Sequence, residues 1–248
     1  MKDRIIHKLK ETEKEYDVEI LFAVESGSRA WGFASPDSDF DIRFVYKRNK
    51  DWYLNLWEQK DTIQFMTEDD LDGSGWDLRK ALLLLAKGNA SFLGWLFSPV
   101  VYLDNNGVLD GLKKLAQENF KPVSVFHHYH SMNRGFNEVL NKREVNLKHF
   151  FYFVRTALCA NWVVQKRTVP PVDFKELYEL ISFQESDLLT ELIKVKSSQK
   201  ESGKWQPPQE LLTMCERILS DNEEKMPALS QGKVRTADFN HFFIKEIQ

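Results

Sequence analysis

The stretch GSRAWGFASPDSDFDIRFVY, residues 27–46, sets a row of carboxylates at the mouth of an apolar segment. Asp37, Asp39 and Asp41 fall at every second position, and FDIRFVY then reads as a strand. On a strand, Asp39 and Asp41 share one face while Phe40 and Ile42 take the other. Two like charges so close oppose each other's ionisation unless a cation sits between them. The stretch therefore asks for a metal ion. Arg43 falls on the same face as the two aspartates, which favours a structural ion pair there over a substrate contact.

Upstream, VEILFAVESGS (18–28) is a short apolar run that ends in small residues, a strand followed by a tight turn. Glycine at 27 lets the backbone come close to a ligand, and exposed N–H groups with the Ser28 hydroxyl suit a phosphate. Arg29, next along, is placed either to meet a triphosphate or to pair with an aspartate of the turn. Hard cations such as Mg²⁺ take carboxylate oxygens and commonly bridge them to substrate phosphates.

Further out, residues 3–15 carry Ile5, Ile6 and Leu9 on one face of an amphipathic helix. DTIQFM (61–66) reads as a third strand, whereas EDDLDGSG (68–75) is ambiguous between a short strand and a loop, because its glycines make a poor strand. WDLRKALLLLAKGNASFLGWLF reads as a buried helix stopped at Lys87-Gly88 and a second helix near Ser91–Phe97, before a short strand in SPVVYLD. From about residue 108 the apolar residues recur at helical spacing, TVPP (168–171) separates two of the helices, and residues 197–210 read as a polar loop. The expected class is α+β. A mixed sheet flanked by helices occupies 1–107, and an all-helical domain over 108–248 closes a nucleotide cleft.

The chain of 248 residues has 42 % hydrophobic and 29 % charged residues, a globular balance. Its net charge of −3 and pI near 6.1 do not advertise a nucleic-acid binder, although a local basic face is compatible with them. Two cysteines, Cys159 and Cys215, make no disulfide framework. No run approaches the roughly 20 apolar residues that span a bilayer, so a cytoplasmic protein is expected. HHYH (127–130) points its imidazoles in different helical directions and is not read as a zinc site.

The combination GSRAWGFASPDSDFD resembles the signature of the DNA polymerase beta-like nucleotidyltransferase superfamily: Gly-Ser, a spacer of about ten residues, Asp-x-Asp, then a third carboxylate on a later strand. GSRAWG with SDFDIR, the WDLRKALLLLAKGNASFLGWLFSPVVY segment and LKHFFYFVRTALCANWVVQKRTVPPVDFKEL are similar to a bacterial group of nucleotidyltransferases related to phage-type RNA-repair enzymes. The resemblance covers about residues 20–180. It implies transfer of an NMP from an NTP onto a hydroxyl, with Mg²⁺ (or Mn²⁺) held by Asp39, Asp41 and a third carboxylate. Asp72 is the first choice for that carboxylate. Asp77 is its rival, although at a helix start capping is the ordinary role, and Glu68, Asp69 and Asp70 are further candidates.

Gly27, Ser28 and Arg29 would then position the triphosphate. Lys148 and Arg155, seven apart and so on one helical face, are candidate phosphate contacts, because a cation within HFFYFVR needs a partner. An RNA end, a protein side chain or a small molecule would each serve as acceptor. A non-catalytic nucleotide-binding regulator on the same fold is the alternative.

Overall fold

The computed structural model describes residues 1–68, 70–198 and 204–248. Asp69, one of the candidate carboxylates, and the 199–203 part of the expected polar loop lie outside the described residues. The fold is α+β, and the chain forms two compact units. One comprises Met1–Ala30, Asp39–Asn119 and Lys233–Gln248; the other comprises Trp31–Ser38 and Phe120–Gly232. The change to helical spacing set an expected boundary at 107/108, whereas the two units part at Asn119/Phe120 and the C-terminal segment belongs with the first unit.

In the first unit, helix α1 (Lys2–Tyr16) leads into β1 (Glu19–Glu25), the single helical turn α2 (Gly27–Trp31), β2 (Phe40–Lys47), a short α3 (Lys50–Tyr53), β3 (Thr62–Met66) and β4 (Leu71–Asp77). Helices α4 (Leu78–Lys87) and α5 (Ala90–Leu96), strand β5 (Val101–Asp104) and α6 (Val108–Glu118) follow, and the last helix of the chain, Thr236–Glu246, completes the unit. The sheet order is β3-β4-β2-β1-β5. β2 and β4 run parallel and every other pairing is antiparallel. β1 sits between two neighbours and is apolar almost throughout, as a strand covered on both faces must be. Ile5 and Leu9 of α1 pack on Ile20, Ala23, Ile42, Phe44, Tyr46, Ile63 and Leu71, which builds the core of this layer.

The glycine-rich GSG segment forms a strand because its glycines receive rings. A Cβ at Gly73 would meet Phe65 at 2.1 Å, and one at Gly75 would meet Phe44 at the same distance. Phe65 lies opposite Gly73 on β3 and Phe44 opposite Gly75 on β2, so the missing side chains are replaced by cross-strand aromatics. Asp77 then caps α4 by accepting from the Arg79 amide at 2.8 Å. Gly88, at φ +77°, ends that helix in the left-handed conformation.

The second unit is built on helices α7 (Pro122–Arg134), α8 (Glu138–Asn141), α9 (Leu147–Lys166), α10 (Phe183–Ser198) and α11 (Gln209–Lys225). The C-terminal helix of the first unit, Thr236–Glu246, is α12. α9 is buried nearly all round and packs against α7 and α11. The expected helix over DFKELYELIS is a 3-10 helix, Phe174–Leu180, whose buried Phe174 and Leu177 stand three apart, as that tighter helix requires. A two-residue pairing of Val145–Asn146 (β6) with Lys204–Trp205 (β7) escapes sequence reading because it is too short to carry a period. The loop Trp31–Ser38 packs within this unit: Phe33 stacks on Phe151 at 5.0 Å, and Lys196 donates to the Ser35 hydroxyl at 2.8 Å.

Candidate active site

β1 ends in Glu25 and Ser26, and Gly27 turns the chain at φ +63° into α2. The turn is tied directly to the carboxylate strand. Ser26 donates its amide to the Asp41 carbonyl at 2.8 Å, and Asp41 donates its own amide to Oε1 of Glu25 at 2.8 Å. A Cβ on Gly27 would lie 2.0 Å from Oδ2 of Asp41, so only glycine lets this carboxylate approach the turn so closely. Arg29 donates from Nε to the Asp39 carbonyl at 3.0 Å and lays its guanidinium 3.9 Å from the centre of the Phe40 ring. Arg29 thus holds the aspartate loop through its backbone carbonyl.

The parallel register places Asp41 of β2 directly opposite Asp72 of β4. Between them stands Arg43. One of its terminal nitrogens is 2.8 Å from Asp41 Oδ1 and 2.9 Å from Asp72 Oδ2; the other donates to the Asp72 carbonyl at 2.9 Å and to the Ile42 carbonyl at 3.2 Å. The ion pair expected at Arg43 is therefore present, and it spans both strands. Asp39 precedes β2 and is exposed, while Asp37 lies in the loop packed within the helical unit.

Asp77, the rival third carboxylate, is occupied elsewhere. It is buried, caps α4 and accepts from the Tyr53 hydroxyl at 2.7 Å, and burial raises its pKa above the ordinary aspartate value. It stands five residues beyond Asp72 on the same strand, hence on the opposite face. Asp72 shares its face with Asp41; Asp77 does not.

Glu25 is the residue of this neighbourhood that sequence reading missed. It is 1 % exposed, accepts from Asp41 N–H and receives the Tyr102 hydroxyl, and its carbonyl accepts from the Ser98 hydroxyl at 2.7 Å. Burial raises its pKa above the ordinary glutamate value. The available signal was a carboxylate closing an apolar run, LFAVE, two residues before the Gly-Ser turn.

In the helical unit, Lys148 lies in the first turn of α9 and its amide is capped by Asn146 at 2.8 Å. Arg155 is 4 % exposed, with its guanidinium 4.2 Å from the Trp31 ring centre and hydrogen-bonded to Tyr129. A ring face and a phenol hydroxyl thus supply the partner that this buried cation requires, the requirement on which its phosphate role was argued.

Among the described residues, no three His, Cys, Asp or Glu side chains converge closely enough to cage a metal by themselves. The donor chemistry nevertheless fits Mg²⁺, which is usually held by one or two carboxylates together with water and substrate phosphates. Asp41 and Asp72 offer hard oxygens around a point that already attracts a cation, and Asp41 turns its second oxygen to the Gly27 backbone.

Among the described residues, no helix is long and apolar enough to cross a membrane. The chain is 45 % identical over 178 residues to the uncharacterized protein YcgL of Bacillus subtilis (strain 168), an overlap of 71 % of this chain and 68 % of that protein. A crystal structure of a nucleotidyltransferase-like protein from Exiguobacterium sibiricum 255-15 aligns over 96 % of this chain and 77 % of its own, with 13 % identity and a TM-score of 0.31. The family model of RlaP, described as the RNA repair pathway DNA polymerase beta family, matches residues 1–245. With nearly the whole chain matched, the protein belongs to the RNA repair pathway DNA polymerase beta family, RlaP.

Proposed function

We propose that this chain transfers a nucleoside monophosphate from an NTP to a hydroxyl acceptor, releasing pyrophosphate, in a reaction that depends on a divalent cation. The supporting observation is the facing of Asp41 and Asp72 across parallel strands, directly beside the Gly27 turn. Asp39, Asp41 and Asp72 are the residues that would hold Mg²⁺ or Mn²⁺. When bound, such an ion neutralises triphosphate charge and raises the nucleophilicity of the attacking hydroxyl.

The chain's own groups do the positioning. Gly27 permits close backbone approach, and Ser28 brings its hydroxyl to the same turn. Glu25 and Arg29 fix the Asp41 amide and the Asp39 carbonyl, so the backbone that carries the two carboxylates is held before substrate arrives. An acceptor oxygen bonds to the α-phosphorus as the bond to the β-phosphate oxygen breaks, and fixed charge at the leaving pyrophosphate carries much of the acceleration. The description of the family favours an RNA end as the acceptor.

Thermal stability against each NTP, with and without Mg²⁺, tests this in wild type and in Asp39→Asn/Asp41→Asn. A ligand at 100 times its Kd adds about 2.7 kcal/mol to the folded state. A metal-dependent gain lost in the double variant, with transfer of labelled NMP to RNA ends, is the expected result. A gain indifferent to metal and to the substitutions would identify a nucleotide-binding regulator instead. No gain with any NTP would overturn the proposal.

A further inference from the structure

Residues 79, 82, 83 and 86 of α4 recur at helical spacing, so Arg79 shares one face with Leu82, Leu83 and Ala86. On α12, Phe239 and Phe243 stand one turn apart and share a face in the same way. These two faces line a groove of about 320 Å³ within the first unit, and Arg79 is the one charged residue that lines it among the described residues. We propose that the groove binds a small amphipathic monocarboxylate, with the acid group on Arg79 and the apolar tail along the two helices. This site is independent of the nucleotidyl-transfer reading above.

The guanidinium of Arg79 is exposed yet held in place. It lies 4.9 Å from the Tyr53 ring centre and 5.6 Å from that of Phe243, and one terminal nitrogen donates to the Tyr53 carbonyl at 2.8 Å. The nearby Asp77 carboxylate accepts from the Arg79 amide and the Tyr53 hydroxyl instead, which leaves the rest of the fork to a ligand. A cation in the first turn opposes the helix dipole, so this charge does not serve α4 itself. A planar guanidinium matches a carboxylate with paired donors. A phosphomonoester would bring about two negative charges, more than one guanidinium balances. Along the groove the wall is apolar: Leu83 is 56 % exposed beside buried Leu82 and Phe239, and a ligand that covers it removes apolar surface from water. From Arg79 to Ala86 the helix rises about 10 Å, a length that an extended octanoate chain matches. The volume suits a small molecule.

Equilibrium dialysis of the full chain against labelled octanoate, octanol and octylamine tests the assignment. Octanoate is expected to bind once per chain, with octanol and octylamine weaker by about tenfold or more. Arg79→Gln should lose about tenfold in octanoate affinity and keep its affinity for octanol. Leu83→Asp, at an exposed position that leaves Arg79 in place, should abolish octanoate binding by setting a like charge in the groove. Should Arg79→Gln not fold, the wild-type comparison of octanoate with octanol and the Leu83→Asp result decide. Equal affinity for octanoate and octanol, or octanoate affinity unaltered in either variant, would overturn the proposal. No octanoate retained by the wild type would also overturn it. So would a wild-type dimer in sedimentation that Leu83→Asp dissociates, because the groove would then belong to a second copy of the chain.

Discussion

The Oδ2 atom of Asp41 fills the space that a side chain at Gly27 would need, since a Cβ there would come within 2.0 Å of it. Gly27→Ala therefore carries two costs. The left-handed φ of +63° is unfavourable for alanine by about 1–2 kcal/mol. The new methyl also pushes the Asp41 carboxylate aside, and a displacement of about 1 Å at such a site can cost roughly a hundredfold in rate. Urea unfolding is expected to show a loss of about 1 kcal/mol, and the transfer assay a far larger proportional loss in kcat/KM. Unaltered transfer would show that the placement of Asp41 is not what the turn protects.

Gly75 accommodates the Phe44 ring and Gly73 the Phe65 ring. Gly75→Ala overpacks the sheet core and should destabilise by about 1–3 kcal/mol in urea unfolding. Gly75→Ala combined with Phe44→Leu should recover part of that loss, because the two sites touch and their effects are not additive. Equal loss in single and double variants would show that the ring contact is not what demands glycine.

These glycines also mark where sequence reading stops. Asp41 and Arg43 were legible as neighbours because alternation along one strand fixes a shared face, whereas Asp39, placed on that face in the sequence reading, lies before the strand begins. The role of Asp72 depended on whether GSG could be a strand, and that was decided by Phe44 and Phe65 on two other strands, which no local pattern reveals. Glu25 was hidden for a similar reason. A lone carboxylate ending an apolar run has no period, and only the pairing of β1 with β2 and the arrival of Tyr102 give it partners. Arg155 reads in the sequence as a cation in need of a partner, and Trp31 and Tyr129, which lie against it, are distant in sequence and could not be named.

Burial raises the Glu25 pKa above its ordinary 4.5. The folded state then holds a proton that the unfolded state has released, so this group's contribution to stability falls as pH rises through 4.5 toward the raised value. Glu25→Gln removes that dependence while its amide oxygen still accepts from the Asp41 N–H. The difference in unfolding free energy, variant minus wild type, should increase from about pH 4 to about pH 7. A difference that is flat or declines with pH would mean that Glu25 is ionised as readily in the folded chain as in the unfolded one.

Arg155 provides the last test, because its burial and its proposed chemistry point to different results. Arg155 is 4 % exposed, its Nε has no hydrogen-bond partner among the described residues, and the guanidinium rests on Trp31 beside Tyr129. Burying a charge without a carboxylate carries a penalty of several kcal/mol that ring and hydroxyl contacts only partly offset. Arg155→Met keeps much of the volume and offers a thioether to the Trp31 ring. Its stability should stay within about 1 kcal/mol of wild type or exceed it, as read by urea unfolding. NTP affinity, measured by titration with Mg²⁺ present, should change by less than about twofold, equivalent to roughly 0.4 kcal/mol. A tenfold loss of affinity with stability retained would restore the phosphate-binding role that its place in HFFYFVR first suggested.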